Sequence, residues 1–458
     1  MIAKKNIYKV YYLFLLIHLL LWTLIPSLSN VNLPLDTIEA LAWGSNLDWG
    51  FNKHPPLSAF FVEVFYQIFG NQDWVYYLLS QIFIISTFIV IFKFAFKFFD
   101  NLNYALFSVL LLEGIFFYNF TTPEFNVNIA QLPFWVLSIF FTWNCVKYNR
   151  VSDYILLGLV IGLGILSKYL FLYLVAGIIF FFIYQLIQKN KNIKIYNLII
   201  LALVSFIILS PHIYWLTKNN FTTLTYALHR TSGIGNFSDH IIFPFTFILK
   251  QIGILIPFFI LAYFLIKKFK IKKIVVDNRK IFLFFTVLIP IILMIFTSLV
   301  MGAKIRTMWM TPFYTFFGIL FLEIFKKNIN FDNLKKFFFA FIVIFLISPF
   351  TYLAISVSND FKRTDYPGKE IARLVQNKWD DNFKNDIKIV VGDEWFAGNL
   401  SYHLISRPKW IIDLKGKASE LNNLDGIIYT GNPKVLKQIC PGVFGTIKPV
   451  GYCMIGTR

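Results

Sequence analysis

The chain has 458 residues, of which 57% are hydrophobic, 19% aromatic and only 15% charged. Soluble domains carry about 25% charged residues, so this composition excludes a chain that faces water throughout. The net charge of +19 does not indicate a nucleic-acid partner. The basic residues sit mainly in short connectors between apolar runs, where membrane proteins hold their cytoplasmic positive charge, and no aromatic–basic interleaving resembles a single-strand platform.

Apolar runs recur up to about residue 357, most of them long enough to cross a hydrocarbon core of about 30 Å as helices. The predicted spans are 7–28, 76–96, 103–120, 128–146, 154–167, 169–187, 195–216, 241–266, 281–301, 309–325 and 337–357, an all-α polytopic bundle of about eleven transmembrane helices. The first follows Lys4, Lys5 and Lys9 as a signal peptide would. It is long and lacks a small-residue cleavage site, so it reads as a retained span. Connectors carrying Lys4/Lys5, Lys93/Lys97, Lys147/Arg150, Lys189/Lys191/Lys194, Lys267 through Lys280, and Lys326/Lys327/Lys335/Lys336 alternate with connectors poor in Lys and Arg. The rich set is assigned to the cytoplasm, which puts the N-terminus inside and the C-terminus outside. That alternation requires the chain to turn at Lys168; one span over 154–187 would leave ten crossings and divide the polar groups between the two faces.

The outer side then receives the segments 29–75, 121–128, 217–240 and 301–309. Within the first, LSAFFVEVFYQIFG reads as an amphipathic helix lying in the interface. After the membrane domain (1–357), residues 358–458 alternate short β-branched runs with helical stretches and contain no span, which predicts a small extracytoplasmic α/β domain. Of the three cysteines, Cys145 lies near a helix end, while Cys440 and Cys453 share this domain and can pair in an oxidising compartment.

The first outer loop, LPLDTIEALAWGSNLDWGFNKHPPLSAF, holds the densest set of reactive groups. Asp36 and Glu39, three apart, share one face of a short helix; Asp48, Lys53, His54 and the Pro55–Pro56 pair follow. Carboxylates at a membrane surface suit a general base or a metal ligand, and they also suit a helix cap beside solvated loop charges. Trp43, Trp49, Trp74, Tyr76, Tyr77, Trp215 and Trp309 fall at the outer boundary as an aromatic belt would. There is no Walker loop, no Rossmann glycine fingerprint and no Cys/His metal cluster.

The stretch from Asp36 to Pro56, DTIE followed by NLDWGFNKHPP, resembles the first periplasmic loop of glycosyltransferase family 39. That family comprises dolichyl-phosphate-mannose protein mannosyltransferases and lipid A aminoarabinose transferases, GT-C fold enzymes that use polyprenyl-phosphate sugars. TPEFN (122–126), GLVIGLGILSKYLFLYL (158–174), SPHIYWLTKNNFTTLTYALHR (210–230), KIRTMWMTPFY (304–314) and, more weakly, WFAGNLSYHLISRP (395–408) resemble further family elements in order. Glu124 stands where the family usually has Asp.

The resemblance implies a glycosyltransferase on the periplasmic face of a bacterial inner membrane. It would move a sugar from a polyprenyl-phosphate donor to lipid A, another envelope glycan or a protein hydroxyl, with inversion. Asp36 would be the base. Glu124 would position the acceptor or join Asp36 in holding Mg²⁺ or Mn²⁺, whose preference is for hard carboxylate oxygens. Glu39, Lys53, His54, Lys168, Arg230 and Arg306 would bind substrate, the basic ones by neutralising phosphate; His212 and His229 are weaker candidates. A polytopic transporter or flippase is the alternative, and would call for ionisable residues near the midplane and a repeat of broken helices. An O-antigen polymerase or ligase would carry its large outer loop late in the chain.

Overall fold

Each predicted apolar run returns as a helical segment in the computed structural model of the chain, which describes residues 4–190, 192–231, 236–266, 276–331, 333–358, 361–413 and 426–458. Part of the fifth basic connector (267–275) and Lys191 lie outside the described residues. Eight helices are long and apolar enough to cross a membrane, beginning with α1 (Lys4–Ser29). The others are Asp73–Phe99, Val127–Tyr148, Tyr169–Ile187, Ile195–Lys218, Asp239–Tyr263, Asn278–Met301 and Leu334–Ser358. A bent pair, Thr307–Tyr314 and Phe317–Ile324, meets at 57°, and Leu102–Gly114 and Val151–Ser167 are shorter apolar helices. The chain is an integral membrane protein.

Two predicted spans are less regular than expected. The run 103–120 is α-helical only over Leu102–Leu110 and continues as short 3-10 turns. A helix crosses there: a Cβ on Gly114 would stand 2.5 Å from the Cα of Phe258, so only glycine admits that approach. In 309–325 the first half, with Pro312 inside it, is 3-10, because proline offers no amide to an α-helical ladder.

The chain does turn at Lys168. Its extended backbone (φ −166°, ψ 136°) ends one helix, and the rings of Tyr154 and Phe182, equally distant from it in sequence, meet at 6.3 Å. The basic connectors accordingly gather at one end of the bundle. There Lys97 donates to Asn144 at 2.7 Å, Asn197 to Asn149 at 3.0 Å, and Lys326 sits 5.8 Å from the Phe99 ring. The spans are not free of ionisable groups: His18 and Glu113 lie 3.4 Å apart with fully buried side chains. Phe14, Phe88 and Phe345 surround the imidazole, so this pair joins helices rather than lining a path.

At the opposite end the first outer loop forms α2 (Leu35–Gly44) and α3 (Leu57–Phe69). The C-terminal domain is built on a sheet of β1 (Ile387–Val391), β2 (Lys409–Ile411), β3 (Gly426–Gly431), β4 (Val443–Ile447) and β5 (Val450–Ile455), ordered β2-β1-β3-β5-β4. β1 runs parallel to β2 and β3, whereas β5 pairs antiparallel with β3 and β4. Cys440 and Cys453 form a disulfide, and Cys145 is free and buried.

This domain is packed onto the loop. Ala42, Trp43, Phe51 and Ala59 share one apolar cluster with Trp379, Leu400 and Trp410. Trp410 donates its amide to Ser45 at 2.8 Å and Tyr402 its hydroxyl to Asp73 at 2.7 Å. Arg407 anchors the contact: its guanidinium reaches Glu63 of α3 at 2.7 Å and lies 4.2 Å from the Tyr66 ring. Arg407→Ala would leave a buried carboxylate without its partner, a loss of about 3–5 kcal/mol. Heating the detergent-solubilised variant should show early release of the domain as protease sensitivity, partly reversed by adding Glu63→Gln. A release temperature equal to that of the unmodified chain would refute the anchor.

Candidate active site

At the end of the bundle opposite the basic connectors, between α2, the loop 46–56 and the connectors of later spans, lies a cavity of about 520 Å³. Asp36, Glu39, Lys53, His54, Lys168, Arg230 and Arg306 all line it, so seven residues separated by up to 270 positions in the chain are brought to one place. Glu124 borders it from behind: its carboxylate accepts the Asp36 amide at 3.1 Å, serving one of the unpaired N–H groups at the start of α2. The loop is fixed from both sides. His212 bonds the Trp49 carbonyl at 2.6 Å and Thr223 donates to the Phe51 carbonyl at 2.7 Å. A Cβ on Gly50 would fall 2.4 Å from the Trp215 ring, which accounts for the glycine in DWG.

Charge in the cavity follows from burial. Burial raises the Asp36 carboxyl above its usual range, and Lys168, Lys53 and Arg363 pull it back only in part. Glu124 is pushed up to about 8, by burial first and then by the neighbouring Asp36 charge. Burial lowers Lys168 to about 7 against the pull of Asp36. Its ammonium is held by Asn128 at 2.5 Å and stands 5.4 Å from the Trp309 ring. The result is a half-desolvated acid–amine site, poised near neutrality, where small changes move a proton.

Two expected phosphate partners behave differently. Lys53 is taken by carboxylates, Glu39 at 2.6 Å and Glu394 of the C-terminal domain at 3.1 Å, and Asn52 also reaches Glu394 at 2.9 Å. His54 packs edge-on to Trp43 at 5.9 Å and Tyr226 at 6.2 Å. Burial, with Lys168 and Lys53 nearby, lowers it to about 3, so it stays neutral and offers hydrogen bonds rather than charge. Of the other candidates, His212 bridges Tyr169 and Trp49. Trp43 lies flat against Phe51, with centroids 5.6 Å apart, which leaves one face fewer for a sugar.

Arg363, Asn128 and Tyr226 also line the cavity, and Trp309 faces it rather than serving only the belt. Beside the cavity a second depression is lined by Arg230, Arg306, Lys304 and Lys250, and it continues into an apolar stretch formed by Phe116, Gly253, Ile254 and Pro257. Lys250 belongs to the helix Asp239–Tyr263, and a lysine there was a legible signal of function. Arg306, Lys304 and Arg363 were legible too, as cations on the side that the positive-inside rule depletes.

The family model for dolichyl-phosphate-mannose-protein mannosyltransferase matches residues 53–215. The lipid A galacturonosyltransferase RgtD of Rhizobium johnstonii is 23% identical over 201 residues, covering 42% of this chain and 40% of that protein. The match therefore spans well under half of this relative's length. The crystal structure of ArnT from Cupriavidus metallidurans superposes with a TM-score of 0.64 in its apo state and 0.61 when bound to undecaprenyl phosphate. These matches are 12% and 11% identical, and each covers 97% of this chain and 98% of that one. At such identity the likeness establishes the fold, which is GT-C.

Proposed function

We propose that this chain, which matches the dolichyl-phosphate-mannose-protein mannosyltransferase family model over residues 53–215, transfers a sugar from a polyprenyl-phosphate donor to an acceptor hydroxyl at the outer face of a bacterial inner membrane. One observation carries this reading: the carboxylate cavity shares Arg230 and Arg306 with a neighbouring groove that is basic on that side and apolar farther along. That sequence of linings matches a sugar, a phosphate and an isoprenoid tail laid end to end. The undecaprenyl phosphate bound to ArnT and the lipid A substrate named for RgtD are consistent with it.

In the proposed reaction Asp36 accepts the proton of the acceptor hydroxyl. The acceptor oxygen then attacks the anomeric carbon, and the bond from that carbon to the phosphate oxygen breaks. Polyprenyl phosphate leaves with the bonding pair, and a single displacement inverts the anomeric centre. Lys168, Arg230 and Arg306 offset the negative charge that accumulates on the leaving group. Glu124 accepts the Asp36 amide and keeps α2 in place. The Glu39–Lys53–Glu394 group ties the loop to the C-terminal domain.

We read the protein's own donor set as a poor fit for a divalent cation. Among the described residues no group of three or more His, Cys, Asp or Glu side chains gathers, and Asp36 already faces Lys168, Lys53 and Arg363. We therefore read the displacement as metal-independent. The chain reconstituted in vesicles with undecaprenyl-phosphate sugars and lipid A should form glycosylated lipid A and free undecaprenyl phosphate at a rate unaffected by EDTA. Movement of the lipid-linked sugar across the bilayer with no new glycosidic bond would favour a flippase, and loss of activity on chelation would restore the metal.

A further inference from the structure

On the far side of the outer loop a separate groove of about 730 Å³ runs along the helix Gly368–Asp380. Backbone hydrogen bonds tie its rim to the wall of the catalytic cavity. Val31 and Asn32 both donate their amides to the Thr364 carbonyl, at 3.0 and 2.9 Å. Val31 lines the groove, while Arg363, next to Thr364, lines the cavity.

The groove holds two buried acceptors with no partner in the protein. Asn32 gives its amide hydrogen to Asn399 at 2.8 Å, so its oxygen, 3.3 Å from Nε2 of His403, must accept. His403 therefore carries its hydrogen on Nε2 and presents a bare lone pair at Nδ1, which is buried and unpartnered, as is Oε1 of Gln376. His403 itself is only 8% exposed, and burial, with Lys369 nearby, holds it neutral by lowering it to about 4. Gln376 has already given a hydrogen to Asp380 at 2.9 Å. Buried acceptors of this kind are costly unless a ligand or water supplies donors. Lys369 and Arg373, one turn apart, flank them, and Glu370 and Asp380 balance the charge.

The lip of the groove has another character. Val31 is 62% and Ile405 88% exposed, beside Leu28 at 84% in the last turn of α1. Exposed aliphatic side chains at the end of a span lie level with the lipid headgroups. Hydroxyl donors are needed inside and acyl chains are accommodated outside.

We propose that this groove binds the saccharide headgroup of a lipid-anchored acceptor, holding it next to, but outside, the cavity where the sugar is transferred. The proposal rests on the transferase reading above and adds to it a site for the acceptor on the C-terminal domain. The chain in lipid nanodiscs, with diphosphorylated lipid A and its deacylated saccharide as probes, tests it through Arg373→Ala at an exposed position and Gln376→Ala at a half-buried one.

Each variant should raise the acceptor KM, and the Kd for lipid A without donor, about fivefold for the loss of one hydrogen bond. kcat and the donor KM should not change. The deacylated saccharide should bind more weakly but lose affinity by the same factor. Unchanged acceptor KM and Kd in both variants would overturn the groove, and so would a saccharide whose binding ignores them. If lipid A binds with the expected sensitivity yet no sugar is transferred, the groove stands and the transferase reading falls.

Discussion

Asp36→Asn should lower sugar transfer by about 10²–10⁴-fold, the usual contribution of a positioned general base, while leaving the protein inserted and folded. The substitution removes the charge and little else. Asparagine fills the same volume, and the Asp36 amide can still reach Glu124. Two further shifts follow from the electrostatics. Glu124 is raised in part by the Asp36 charge, so it titrates lower in the variant. Lys168 has Asp36 as the one charge favouring its protonated form, so its ammonium is lost at still lower pH. The second consequence adds to the loss of the base. Initial rates in vesicles, with thermal unfolding as the control for folding, check the prediction. A variant that transfers at the unmodified rate would remove Asp36 from the mechanism.

The site was legible in the sequence to the extent that its parts are local. DTIE and NLDWGFNKHPP lie within one loop, and the charge of the connectors placed that loop on the outer side. The same alternation demanded a turn at Lys168, and the Tyr154–Phe182 contact meets that demand. What could not be read depends on partners distant in the chain. Lys53 looked available for phosphate because Glu394 is more than 300 residues away, and only the packed C-terminal domain brings the two within 3.1 Å.

The broken helices were hidden for a similar reason. Nothing near Gly114 announces that Phe258 will cross it, and hydropathy treats a 3-10 turn and an α-turn alike. The cysteines show the limit from the other direction. Two in one domain allow a bond, but the antiparallel pairing of β4 with β5, which sets Phe444 opposite Cys453, comes from the sheet. Cys440, three residues before β4, is brought within 5.6 Å of Cys453 between Cα atoms.

Lys168 is the residue through which pH should govern the reaction. An ordinary lysine titrates near 10.4, far above any working pH, but burial brings this one to about 7. If its charge stabilises the departing phosphate, activity is present below that value and lost as pH rises through it. Asp36 imposes the opposite limb, because its raised carboxyl must lose a proton before it can act as a base. The profile of kcat/KM for the donor should therefore be a bell, with its alkaline limb near pH 7 in the free enzyme. A bound phosphate favours the charged amine, so the corresponding limb of kcat should lie at higher pH. Lys168→Arg keeps a positive charge with no titration in this range, and should abolish the alkaline limb even if the wider guanidinium lowers the rate. Lys168→Met should cost about 10²–10³-fold below pH 7, where the lysine is charged, and progressively less above it. An alkaline limb that persists unchanged in the arginine variant would assign it to another group and leave Lys168 as a partner of Asn128 alone.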